Sequence, residues 1–241
     1  MPASQGALKA STLSLQLGPW LRKVLAPELS VEMHVAESYA ALADDLRAGR
    51  VDAAWAPPFV QVEREGCRWL AQFERGGCTT FRAAFVCRAD HPLVLEALDR
   101  VSVAWVAPES ASGYLLPREW LARAGNDLKV AFGKELFAGS FAAALEALLA
   151  GKVDLTTVFA SAATAAPKTG LEKLPPALRE ALRIIGYTHE SPNDGIVVSP
   201  GMSEATVQLL RSRLTTCHQD PATQAGLRAI FDADLLRPPL D

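Results

Sequence analysis

The run Pro108-Glu109-Ser110-Ala111-Ser112-Gly113-Tyr114-Leu115-Leu116-Pro117 sets two hydroxyls and a glycine between an apolar, strand-like stretch, 101 to 106, and a segment of helical periodicity, 114 to 124. A helix starting there leaves its first N–H groups without intrahelical acceptors. Those donors and the positive end of the helix dipole favour an anion. Ser110 and Ser112 add hydroxyl donors on the same side. Serine at a helix start also serves as a plain cap, accepting from an N–H two or three residues on. The run therefore suits two roles, cap or anion donor. Gly139-Ser140-Phe141 repeats the arrangement at the head of the next helical segment. Parallel sheets gather helix N-termini at one edge, so the two serine-headed starts are predicted to converge on one oxyanion.

The elements that must position these groups carry a repeat. Leu46-Arg47-Ala48-Gly49-Arg50-Val51-Asp52 and Leu148-Leu149-Ala150-Gly151-Lys152-Val153-Asp154 are identical at five of seven positions. Each closes an Ala/Leu-rich helix at a glycine, which caps a helix in the left-handed conformation without steric cost. Each then enters an apolar strand through Val-Asp. Asp52 and Asp154, being symmetric, are expected to hold backbone N–H groups at a strand start. The same unit used twice predicts an α/β fold of two similar lobes, with a ligand cleft between them and two hinge crossings. Turn-rich punctuation places the crossings near Ala89-Asp90 and Pro192-Asn193. Lobe I is then 1–89 plus 195–241, and lobe II is 90–194. Strands are expected over 7–17, 30–35 and 128–132, and a short helix over 59–65. Alternating strands and helices predict parallel sheets covered on both faces.

Composition bounds the function. The chain has 241 residues, 49% of them hydrophobic and 21% charged, enough for a substantial core. A net charge of −3 argues against nucleic acid as a partner. No apolar run reaches the ~20 residues that span a bilayer. The written N-terminus lacks the pattern of a secretory signal. This predicts a cytoplasmic chain as written, or a periplasmic one if a leader is removed. Cys67, Cys78, Cys87 and Cys217 form no C-x-x-C pair, and the histidines do not cluster with them. No metal site, cofactor or catalytic triad is predicted.

The element S-x-S-G-Y-L-x-P resembles the periplasmic phosphonate- and phosphate-binding proteins of ABC importers, a family with the type II periplasmic-binding-protein-like fold. The likeness extends from Tyr39, at the head of a helix ending in Gly49-Arg50-Val51-Asp52, through the strand from Phe81 and the pair Gly139-Ser140, to Asp194 and Phe231-Asp232. It implies a non-enzymatic solute-binding protein for a small phosphonate- or phosphate-like anion, acting with an ABC permease or as a sensor module. Ser110, Ala111 and Ser112 would donate to the anionic head. Tyr39 would line the cleft from lobe I, and Asp194 would meet a cationic ligand group. Phe81 and Phe141 stand where the family often has tyrosine and histidine. The cleft is thus expected to favour a simple phosphonate or phosphate over 2-aminoethylphosphonate. The alternative reading is a cytoplasmic enzyme on the same fold, similar to the dehydratases of menaquinone synthesis.

Overall fold

The computed structural model describes residues 7–57, 66–162 and 167–239, with the side chains of 7–14 and of Tyr39 left outside the description. The helix expected over 59–65 falls outside these residues. In chain order the first elements are α1 (Ala7–Leu25), α2 (Tyr39–Arg47), β1 (Ala53–Ala56), β2 (Arg68–Glu74), β3 (Thr80–Arg88) and β4 (Val101–Trp105). A π-helical turn, Ala111–Leu115, leads into α3 (Leu116–Arg123), followed by α4 (Leu128–Ala131), β5 (Phe132–Phe137), α5 (Phe141–Leu149) and β6 (Leu155–Ser161). Then come α6 (Pro176–Glu180), β7 (Leu182–Tyr187), β8 (Ser191–Pro192), β9 (Gly195–Val198), α7 (Glu204–Thr216), α8 (Pro221–Phe231) and β10 (Leu235–Arg237). They fall into two compact units, Met1–Thr79 with Pro192–Asp241, and Thr80–Ser191.

The first unit is built on an antiparallel sheet in the order β1-β9-β2-β10. Its centre, β9, is buried at every residue, which is why its sequence is an unbroken apolar run rather than an alternating one. Gly195 opens β9 because a Cβ there would collide with the Ala71 carbonyl and the Trp69 ring. Leu70, Phe73, Val198, Leu214, Leu227 and Leu236 form the core, with Trp20 and Phe231 packed edge to face at 5.4 Å. The strand expected over 7–17 is instead part of α1. Leu17, Trp20 and Val24 are buried at spacings of a helix, and Leu15, which the alternation would have turned inward with Leu17, is 77% exposed. Residues 30–35 form no ladder. Val31 and Met33 still pack against the core, so the period of two marks contacts rather than pairing.

The second unit has the order β5-β4-β6-β3-β7. Here β4 runs parallel to β5 and β6, while β3 runs antiparallel to β6 and β7. Strand direction thus departs from the all-parallel expectation in both units. β3 was expected with lobe I, but its ladders to β6 and β7 lie within the second unit, which begins at Thr80 rather than at Asp90. The strand expected over 128–132 starts as a helical turn because the Asp127 carboxylate accepts from the Lys129 N–H at 3.0 Å; β5 follows. One face of the sheet packs α5 against Ala84, Val86, Ala104, Val158 and Ala160. The other packs Leu121, Tyr114 and Trp120 against Phe85, Val103, Trp105 and Leu155.

The sequence repeat is a structural repeat, one copy in each unit. Gly49 and Gly151 have φ of +67° and +69°. The next N–H reaches five residues back in both, Arg50 to Asp45 O and Lys152 to Ala147 O, each at 2.9 Å. This is the Schellman closure of a helix end, and it requires a residue at ease with positive φ. Asp154 holds the Ser102 N–H at 3.0 Å and the Ser102 hydroxyl at 2.5 Å, fixing the start of β4 to that of β6.

Candidate functional site

The carboxyl ends of β4 and β5 bring the two serine-headed helix starts together. The two strands are parallel neighbours with Trp105 opposite Phe137, so the loops that follow them leave from one edge. Val106, just past β4, ties the loops to each other. Its N–H donates to Gly113 O at 3.1 Å, and its carbonyl accepts from the Gly139 N–H at 2.8 Å. Gly113 must be glycine, since a Cβ would lie 2.5 Å from Val106 Cγ2 and 2.6 Å from Ser110 Oγ.

Within the first loop the Ser110 hydroxyl accepts from the Gly113 N–H at 3.1 Å, and the Leu115 N–H reaches back five residues to Ser110 O at 3.0 Å. That longer reach makes the turn π-helical, a rare conformation that recurs at functional positions. Ser140 caps α5 by accepting from the Ala143 N–H at 3.1 Å. Capping does not exhaust either hydroxyl, because an oxygen that accepts still has its own proton to donate. Ser112 is 8% exposed and its hydroxyl bonds to nothing among the described residues. The N–H groups of Ala111 and Ser112 stand in the first turn, ahead of any intrahelical acceptor.

Phe81 reaches the same edge by the ladder, lying opposite Ser161 at the end of β6. It is buried and stacked on Phe159 with ring centroids 5.8 Å apart, so it supplies an apolar wall. The second unit therefore brings together Phe81, Ser110, Ala111, Ser112 and Ser140. Tyr39 and Asp194 belong to the first unit. Tyr39 opens α2 after the cap Ser38; its side chain is outside the described residues.

Asp194 already has partners within its own unit. Its carboxylate, expected to await a cationic ligand group, is held by Arg75 Nη1 at 2.6 Å and Nη2 at 3.2 Å, and by the Trp55 indole N–H. Arg75 also donates to Phe231 O and lies over the Phe73 ring, 5.4 Å from its centroid. The charge is matched inside the fold. Sequence reading missed this because Arg75 lies far from Asp194 along the chain.

It also missed Arg82, whose Nη2 donates to Glu190 at 2.7 Å, with Thr80 donating to the other carboxylate oxygen at 2.7 Å. Arg82 and Thr80 hold the Glu190 carboxyl below its ordinary range. The available signal was alternation: Arg82 follows Phe81 in a strand and so must face the other way.

Over residues 9–240 the sequence matches the family described as ABC transporter, phosphonate, periplasmic substrate-binding protein. The chain belongs to this family. Members of the phosphonate-binding family are substrate-binding proteins rather than enzymes, and they partner ABC transporters in the periplasm. Solved structures share the fold. A Xanthomonas citri protein bound to ATP is 24% identical, with 97% of this chain and 88% of that chain covered at a TM-score of 0.81. A binding-protein component of an ABC phosphonate transporter from Pseudomonas aeruginosa is 20% identical, covering 99% and 79%, with a TM-score of 0.73. A Prochlorococcus marinus protein in complex with methylphosphonate is 19% identical, covering 96% and 88%, with a TM-score of 0.72. None of the curated proteins compared with the sequence matches it. Among the described residues no helix is long and apolar enough to cross a membrane, and no group of His, Cys, Asp or Glu is arranged to hold a metal ion.

Proposed function

We propose that this phosphonate-binding family member holds a small phosphonate- or phosphate-like anion at the edge formed by Ser110, Ala111, Ser112 and Ser140, for delivery to an ABC permease. The observation that carries the reading is Val106, which bonds both serine-headed loops and so fixes two sets of donors side by side. Three hydroxyls and the first N–H groups of two helix starts suit a tetrahedral oxyanion, which offers acceptors in several directions. The relatives bound to methylphosphonate and to ATP carry that group in common.

Phe81 supplies hydrocarbon at this edge, and Asp194 is already paired with Arg75. A ligand ammonium would lose its water without meeting a carboxylate free of an arginine, since Glu190 too is paired, with Arg82, and an unpaired desolvated charge is costly. Methylphosphonate or inorganic phosphate is therefore expected to bind better than 2-aminoethylphosphonate. A ligand at 100 times its Kd adds about 2.7 kcal/mol of stability, so a thermal-shift panel of the three anions reads the order directly. Calorimetry on Ser110→Ala/Ser112→Ala tests the site itself, with at least a tenfold loss of affinity expected. Unchanged affinity in that double variant sinks the site, and the largest shift from 2-aminoethylphosphonate sinks the ligand order.

A further inference from the structure

The hydroxyls and N–H groups at this edge are neutral donors, whereas phosphonate and phosphate arrive as anions. The second unit also carries a guanidinium at the same height. Arg82 pairs with Ala160 in the β3–β6 ladder, one step from the end of β6. β4 and β6 are in register at Ala104 and Thr156, which sets Ala160 just past the level of Val106, where Gly139 bonds and Ser140 follows.

The side of the sheet is fixed as well. Arg82, Ala84, Val86 and Arg88 alternate onto one face, and Ala84 and Val86 pack against α5 there. Arg88 closes the far end of α5, donating to Leu148 O at 3.4 Å and Val153 O at 3.1 Å. From Arg88 back to Arg82 is ~20 Å of strand, and α5 is ~14 Å long. Arg82 thus stands past the end of α5 that Ser140 caps.

The guanidinium has donors to spare. Nη2 is engaged by Glu190, while Nε is buried without a partner and Nη1 bonds to nothing among the described residues. Arg82 is 27% exposed and Glu190 43% exposed, so the pair is open to exchange with a solute. A planar fork of N–H donors matches two oxygens of a phosphonate as well as it matches a carboxylate.

We infer that Arg82 is a further ligand-binding residue, giving the anion its charge partner, and that Glu190 is an internal carboxylate the anion must displace. The role rests on the proposed serine-headed site and extends it. The two oxygens of Glu190 then act as a stand-in for those of the ligand, and the site favours doubly charged phosphonates and phosphates over singly charged anions.

Titration calorimetry with methylphosphonate and with inorganic phosphate, on the wild type, Arg82→Gln and Glu190→Gln, tests this, with thermal unfolding as the check that each variant is folded. Arg82→Gln is expected to weaken both anions fivefold or more, and Glu190→Gln to tighten them. A loss below fivefold in folded Arg82→Gln overturns the role of Arg82, and unchanged or weaker binding in Glu190→Gln overturns the displacement. If Arg82→Gln does not fold, Arg82→Lys replaces it. That variant keeps the charge and loses the fork, so binding weakened at least threefold supports the assignment and a smaller change overturns it. A wild-type chain that binds neither anion overturns the serine-headed site itself, an outcome distinct from wild-type binding that Arg82→Gln leaves intact.

Discussion

Asp194 in the first unit and Ser112 in the second are both polar residues near the ends of strands, and the fold treats them differently. Asp194 is gripped by a two-pronged guanidinium and an indole, and the same arginine reaches on to the Phe231 carbonyl. Ser112 is more enclosed still, yet its hydroxyl bonds to nothing among the described residues. The difference lies in the sheets. The β1-β9-β2-β10 sheet pairs strands from distant parts of the chain, and side chains cross-link them. Parallel strands send their loops to one edge and leave helix N-termini open there. Asp194 holds structure in the first unit, whereas Ser112 at the edge of the second keeps a hydroxyl that the described residues leave unengaged.

Two glycines give the largest expected effects and test that division. Gly113→Ala forces a Cβ against Val106 and Ser110 in the π-turn. Overpacking of this kind costs about 1–3 kcal/mol, and here it should also cost at least tenfold in anion affinity. Gly195→Ala drives a Cβ into the Ala71 carbonyl between β9 and β2, and should destabilise the protein with anion affinity unchanged in the folded fraction. Denaturant unfolding and calorimetry on both variants read the contrast; equal losses of affinity would erase it.

Next in size is Asp194→Asn. Removing the charge strands Arg75 in a setting where each side chain of the pair is only about one-fifth exposed. A loss on the order of 2 kcal/mol in unfolding free energy is expected, with methylphosphonate affinity within twofold of wild type. A larger change in affinity would return Asp194 to the binding machinery.

Acid sensitivity should sharpen the picture further. Burial pushes the Asp154 carboxyl up, but the Ser102 hydroxyl and N–H outweigh it, with His91 and Arg88 adding to them, so the group sits below its ordinary 3.8. A carboxyl depressed by folding contributes stability above its unfolded value and loses it as pH falls through the folded one. Stability should therefore drop below pH 3.8, and Asp154→Asn should flatten that acid limb in denaturation curves taken from pH 5 to pH 2.

The smallest effect belongs to Thr157, 1% exposed on β6, whose hydroxyl has no partner among the described residues. Thr157→Val removes an unpaired polar group at equal shape, so unfolding free energy should be unchanged or rise by up to ~1 kcal/mol. A marked loss would reveal a partner for that hydroxyl.

What could be read from the residues follows the same physics. The Gly49 and Gly151 caps were legible because a Schellman closure demands a residue at positive φ within a fixed local pattern. The serine-headed turn was legible because helix starts are local too. Strand direction was not, since parallel and antiparallel ladders draw on similar apolar runs. α1 misled because Leu13, Leu15 and Leu17 alternate, while the helical face, Leu17 to Trp20 to Val24, only emerges farther on. The partners of Asp194 and Glu190 lie more than a hundred residues away, and spacing cannot announce them.

The discontinuity of the first unit has a consequence in time. β2 takes its ladder partners from β9 and β10, both near the end of the chain. At ~5–20 residues per second of synthesis, β2 waits on the order of ten to thirty seconds before β10 exists. Leu70, Ala71 and Phe73, completely buried in the finished protein, are unshielded through that interval. The second unit is one uninterrupted stretch and can close meanwhile. On the nascent chain, β2 is an exposed apolar strand until β9 and β10 have been made.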